Sequence, residues 1–113
     1  MIKIITERIS EDDLLSFLGH PYQEMIKFVV DLKNKKMALG GELHADGESL
    51  LLKEGSKQAD VWGANYHPKR KGDEKIEFTA LINIRPSFNN MALEIQDVSI
   101  RNQVKKIVSQ LLP

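Results

Sequence analysis

Apolar residues recur at every second position in several parts of the chain, a pattern typical of strands with one buried face. Ile2 and Ile4 predict a short first strand. Two longer alternating runs, residues 25–32 and 37–44, flank the polar turn at 33–36. Together they predict an antiparallel hairpin. The first of these two runs also fits helical spacing, so a helix there remains an alternative.

Two further strands are predicted in the second half of the chain. Residues 60–67 form an apolar-rich run that ends at Pro68, and a charged loop follows. Residues 75–85 then alternate more regularly than any other part of the sequence, up to Pro86. We interpret these two runs as a second hairpin with the charged loop at its tip.

Three helices are predicted from capping residues and apolar spacing. Ser10 precedes three acidic residues, which is a helix start, and Gly19 is the expected end. Asp46 is predicted to cap a second helix that ends near Gly55. Asp97 is predicted to cap the last helix, whose one-sided apolar stripe consists of Ile100, Val104, Ile107, Val108 and Leu111.

The resulting element order is β-α-β-β-α-β-β-α. Strands joined by tight turns predict an α+β fold with a largely antiparallel sheet, about three helices, and the helices mainly on one face. The chain has 113 residues, a length that fits one domain spanning residues 1–113.

The face of this sheet that the helices leave open is predicted to carry polar side chains. Its candidate ligand-binding residues are Asp31, Glu42, His44, Asn83 and Arg85. Lys27, Glu77 and Thr79 are expected on the same face. An arginine fork can hold a small anion, and a solvated face with a few ion pairs is the alternative.

The string Glu42-x-His44-x-Asp46 suggests chemistry because alternate residues of an extended segment point the same way. These three side chains are therefore candidate metal ligands, with His67 as another candidate for the third position. The spacing matches no established zinc motif. His44 as a general base held by Glu42 or Asp31, and His44 as an ordinary hydrogen-bonded histidine, remain alternatives.

Composition narrows the classes of function. The chain carries 16 basic and 16 acidic residues, and this balance argues against non-specific nucleic-acid binding. It has no cysteine, which excludes disulfides, thiolate zinc sites and a cysteine nucleophile. No cofactor motif is present. The N-terminal residues lack a secretory apolar stretch and no run is long enough to span a membrane, so we expect a cytoplasmic protein.

Two stretches of the chain, Ala38 to Asp46 and Leu51 to Gly63, resemble a family of short bacterial proteins known only as a domain of unknown function. Val29-Val30-Asp31 and Ile82-Asn83-Ile84-Arg85-Pro86 also resemble that family. The resemblance spans nearly the whole chain. It implies a bacterial cytoplasmic protein and no particular activity.

Two hypotheses about function follow. The first is a non-catalytic module that binds a small anionic ligand, a peptide or a second copy of itself through the open sheet face. The alternative is a small hydrolase-like enzyme, metal-assisted or not, in which Glu42, His44 and Asp46 act with Arg85 as an anion clamp. An interaction module needs a flat, partly apolar surface, with Trp62, Leu81 or Val29 near its middle.

Overall fold

The computed structural model describes all 113 residues and contains a five-stranded antiparallel sheet and three α-helices. The strands are β1 (Ile2–Ile5), β2 (Ile26–Asp31), β3 (Lys36–Gly40), β4 (Val61–Tyr66) and β5 (Ile76–Glu77). The helices are α1 (Glu11–Leu15), α2 (His44–Lys53) and α3 (Val98–Leu111). The strands lie in the order β1-β3-β2-β4-β5. The predicted fold class and element order are confirmed.

The larger core lies between one face of the sheet and helices α1 and α3. The β2–β3 hairpin pairs Phe28 with Leu39 and Val30 with Met37, and all four side chains are fully buried. They pack in one cluster with apolar residues of both helices. The period-two alternation identified this face because each buried residue is followed by one that points the other way.

Helix α3 follows the sequence prediction closely. Asp97 Oδ1 accepts hydrogen bonds from the backbone N–H groups of Ser99 and Ile100, at 2.7 and 3.3 Å. These bonds satisfy donors that have no partner within the helix. The buried residues of the helix are Val104, Ile107, Val108 and Leu111. No helix of the structure is both long and apolar enough to cross a membrane.

The second face of the sheet is covered by α2, whereas we expected it to be open. Val29, Ala38 and Val61 point to this face and form a smaller core with Leu51 of α2. Gly47 permits this close packing, because a Cβ at that position would lie 3.0 Å from Val29 Cγ2 and 3.3 Å from Ala38 Cβ. Two of the three helices therefore lie on one face and the third lies on the other.

The chain between β3 and α2 also differs from the prediction. β3 ends at Gly40 instead of continuing to His44, and α2 begins at His44 after Leu43 instead of being capped by Asp46. Gly40 and Gly41 both have φ of +95°, a backbone conformation that other residues rarely adopt. The two glycines turn the chain out of the sheet.

The prediction of a long strand over residues 75–85 is wrong. β5 contains only Ile76–Glu77, and 3₁₀ turns follow at Leu81–Asn83 and Pro86–Phe88. After β5 the chain passes over Gly63 of β4, where a Cβ would lie 2.6 Å from Ala80 Cβ. Gly63 therefore provides the space that lets this segment leave the sheet edge.

Candidate functional site

Glu42, His44 and Asp46 do not form the predicted three-ligand metal site. His44 is buried in the first turn of α2, with its Nε2 at 2.9 Å from the carbonyl oxygen of Ala64, whereas Glu42 and Asp46 are exposed. The structure contains no group of three or more His, Asp or Glu side chains that could hold a metal ion. The prediction assumed an extended segment, and the start of a helix points alternate residues in different directions.

Asp31 is fully buried at the end of β2 and stabilises the β2–β3 turn. Its carboxylate accepts hydrogen bonds from Ser56 Oγ (2.6 Å), Asn34 Nδ2 (2.8 Å), and the backbone N–H groups of Lys33 and Asn34 (both 3.0 Å). Burial by itself would raise the pKa of Asp31, but these hydrogen bonds outweigh it and hold the pKa below the ordinary value. The carboxylate of Asp31 therefore has a structural role, because its hydrogen bonds are all formed within the protein.

Asn83 is fully buried and takes the place of a strand partner beside β4. Its Oδ1 accepts from the N–H of Gly63 at 2.9 Å, and its Nδ2 donates to the carbonyl oxygens of Gly63 (2.9 Å) and Leu93 (3.1 Å). A single amide thus satisfies both backbone groups of Gly63 where β5 has already ended.

Arg85 lies beneath the 3₁₀ turns, and its guanidinium forms hydrogen bonds with other residues of the same chain. Its Nη1 donates to the carbonyl oxygens of Gln58 (2.8 Å) and Val61 (2.6 Å), and its Nη2 pairs with Glu48 Oε2 at 2.7 Å. The guanidinium also stacks 5.2 Å from the centre of the Trp62 ring. Burial lowers the pKa of Arg85, and the charge of Glu48 opposes that shift. These contacts use the N–H groups of the guanidinium that the anion-clamp hypothesis needs for binding an anion.

Asn90 completes this set of buried braces and was not predicted. Its Nδ2 donates to the carbonyl oxygens of Asn83, Ala92 and Glu94 at 2.8 to 3.1 Å, and its Oδ1 accepts from the N–H of Gln96 at 2.9 Å. An asparagine in a loop is too common for the sequence alone to single this one out.

A row of polar residues crosses the second sheet face beside the start of α2. Lys27, Asn65 and Glu77 are aligned across β2, β4 and β5. Asn65 Nδ2 donates to Glu77 Oε1 at 2.9 Å, and Nε2 of His67 lies 3.3 Å from the same oxygen. The pKa of Glu77 is lowered, chiefly by the hydrogen bond from Asn65 and also by His67. Asn65 Oδ1 is buried without a partner.

His44 adjoins this polar row. Burial lowers the pKa of His44, and the positive charge of Lys27 lowers it further, against the opposing effects of the Ala64 bond, Asn65 and Glu77. The imidazole is therefore neutral at pH 7, and its Nε2–H donates to Ala64. The structure thus brings together Lys27, His44 and Glu77 of the predicted polar face, and adds Asn65 and His67.

The exposed side of the chain after β5 is apolar. We call residues 81–93 the apolar segment, and its exposed large side chains are Leu81 (75%), Met91 (67%), Ile84 (44%), Phe88 (44%) and Leu93 (43%). Leu43 and Leu81 also line a cavity of about 260 Å³ beside His44. The only charged residue of the segment, Arg85, is buried. The sequence shows that this segment has only one charged residue. Because we predicted a strand there, we did not infer an exposed apolar surface.

The comparisons with known proteins give a family and no activity. The family model described as "Protein of unknown function (DUF5674)" matches residues 3–111. No curated protein and no solved structure matches this chain.

Proposed function

The chain belongs to the family of unknown function DUF5674, and from its geometry we propose that it is a non-catalytic interaction module that binds a second copy of itself. The apolar segment is the proposed contact surface. The observation that carries the proposal is the exposure of five large apolar side chains within thirteen residues that expose no charge. Exposed apolar patches of this kind mark protein interaction sites.

The buried polar side chains support this function because they hold the apolar segment in one conformation. Asn83, Arg85 and Asn90 together make ten hydrogen bonds, nearly all to backbone groups. A surface that is already ordered loses less conformational entropy on binding than a flexible loop does. Residues that we predicted to bind a ligand thus act indirectly, by fixing the surface that contacts the partner.

Electrostatics favours a second copy as the partner. In a two-fold contact each surface patch meets the same patch of the other copy, so exposed charges near the two-fold axis lie close to their like. The apolar segment exposes no charge, and the whole chain has a net charge of zero. Neither local nor long-range repulsion therefore opposes the association.

Sedimentation velocity over a series of protein concentrations tests the proposal. We expect the wild-type protein to shift from monomer to dimer as concentration rises. The double variant Leu81→Gln/Met91→Gln should lose about 2–4 kcal/mol of apolar burial and dimerise at least about thirtyfold more weakly. Leu52→Gln on α2 is the control, because Leu52 is also exposed (38%) but lies outside the apolar segment.

Circular dichroism should show the same secondary structure in all of these proteins. A wild-type protein that stays monomeric at every concentration would overturn the proposal. So would a control variant that weakens association as much as the double variant does.

We also propose a bacterial origin and a cytoplasmic location. The sequence resemblance supports the first. The second is supported by the absence of cysteine, since the fold needs no oxidising compartment. Fractionation of cells that express the untagged chain tests the location.

A further inference from the structure

A cavity of about 330 Å³ lies where the segment before α1, the β4–β5 connection and the C-terminal end of α3 meet. Its volume is in the range of small-molecule sites. It shares no lining residue with the apolar segment, so an inference about it is independent of the proposed self-association.

Three cationic side chains line this cavity: Arg8, Lys75 and Lys105. Arg8 Nη1 donates to the carbonyl oxygen of Ser109 at 2.7 Å, but no carboxylate pairs with its guanidinium. Lys75 makes no ion pair either. Lys105 has only Asp73, at 3.7 Å, and that carboxylate is 94% exposed. The side chains that line the cavity therefore carry more positive than negative charge, even with Asp73 counted among them.

Two other arginines, Arg85 and Arg101, differ from Arg8 because each forms an ion pair with a carboxylate. Arg85 is paired with Glu48, and Arg101 with Glu94. Asp73 is the one acidic side chain that lines this cavity, against three cationic ones, whereas the whole chain has equal numbers of acidic and basic residues. A pocket with a local excess of one sign of charge concentrates ligands of the opposite sign.

Apolar side chains provide the other part of the lining. Ile76, Val108 and Leu112 line the cavity, and Val108 and Leu112 belong to the main core. The Tyr66 ring lies beside them, with Lys75 Nζ 6.0 Å from its centre. Apolar walls with a few polar groups that orient the ligand are typical of small-molecule sites.

We propose that this cavity binds a small ligand that joins an anionic group, a phosphate or a carboxylate, to an apolar body. Arg8, Lys75 and Lys105 bind the anionic group, and the side chains of Ile76, Val108 and Leu112 contact the apolar body. Both parts of the ligand are needed, because the cations are too exposed to hold a bare anion firmly.

Isothermal titration calorimetry with two probes, phenyl phosphate and benzoate, tests the site. Inorganic phosphate and benzyl alcohol serve as the anion-only and ring-only comparisons. We expect at least one of the two probes to bind at a 1:1 ratio and more tightly than both comparisons. Whichever probe binds identifies the anionic group as a phosphate or a carboxylate. Methyl NMR spectra should show the largest shifts at Ile76, Val108 and Leu112.

Lys75→Gln and Lys105→Gln should each weaken binding about three- to tenfold, since each removes one cation from the cavity. Lys106→Gln is the matched control, because Lys106 is the next residue of α3 and does not line this cavity. Binding of neither probe, equal binding of inorganic phosphate, or a loss of less than about twofold in both lysine variants would overturn the proposal.

Discussion

Replacing Asn83 with Asp tests whether this buried amide braces the apolar segment. The two side chains have the same shape, so the substitution creates neither a cavity nor a clash. Asp retains the acceptor for the N–H of Gly63 but loses the donor that bonds to the carbonyl oxygens of Gly63 and Leu93, at 2.9 and 3.1 Å. A carboxylate oxygen would then face two carbonyl oxygens in a site with no solvent exposure.

The expected destabilisation follows from these contacts. Two lost hydrogen bonds are worth about 1–3 kcal/mol together. Burial of an unpaired charge, or the free energy needed to protonate it at pH 7, raises the total to about 3–5 kcal/mol. Since small domains are stable by about 5–15 kcal/mol, the variant should still fold, but only marginally.

Urea denaturation at pH 7 measures this loss, and the midpoint should fall by at least about 1 M. Asn89→Asp is the control, because Asn89 is exposed in the adjacent turn with φ of 58°, a conformation that both residues tolerate. Its stability should change by no more than about 0.5 kcal/mol.

Acidification provides a second readout. Burial opposite two carbonyl oxygens raises the pKa of the introduced carboxyl, and its protonated form donates one of the two lost hydrogen bonds. The variant is therefore penalised least at low pH, and the penalty grows as pH rises through the raised pKa. A total loss below about 1 kcal/mol at pH 7, or a difference from wild type that does not narrow in acid, would refute the bracing role of Asn83.

Three further predictions concern other buried positions. The pKa of His44 is lowered in the folded protein, so the unfolded chain binds a proton more readily and the wild type loses stability below about pH 6.5. Chemical denaturation of His44→Gln should show a smaller loss over this pH range. An unchanged pH profile would contradict this. Asp31→Asn should cost about 2–3 kcal/mol, because its new NH₂ group cannot accept from donors such as Asn34 Nδ2, and it should remove the stability that the wild type loses below about pH 3.8; a variant as stable as wild type at neutral pH would contradict it. Gly63→Ala should cost about 1–3 kcal/mol in thermal melting, because its Cβ would lie 2.6 Å from Ala80 Cβ; a neutral substitution would mean that the segment over β4 yields easily.

Much of the fold was predictable because its signals are local. The β2–β3 hairpin shows in the alternation on either side of a polar turn. Helix α3 shows in the Asp97 cap and in its apolar stripe, and each of these signals depends only on residues within a few positions. The same alternation misled us at residues 75–85, where local β-propensity was overridden by packing over Gly63.

The sequence singled out several polar residues, but it predicted neither their burial nor their contacts. Asp31, His44, Asn83 and Arg85 are all buried, whereas we expected them on an open polar face of the sheet. Their partners lie far away along the chain: Arg85 pairs with Glu48, 37 residues away, and Asp31 with Ser56, 25 residues away. No local pattern encodes such a distance.

The sequence by itself determined the α+β class, the order of the elements and the face of the hairpin that enters the main core. The tertiary structure decided what happens on the other face. There α2 covers Val29, because Gly47 lets it approach closely, and the side chains of Asp31, Asn83 and Arg85 form hydrogen bonds within the protein. The physical reason is that periodicity states which residues share a face, whereas the burial of that face depends on where distant elements pack.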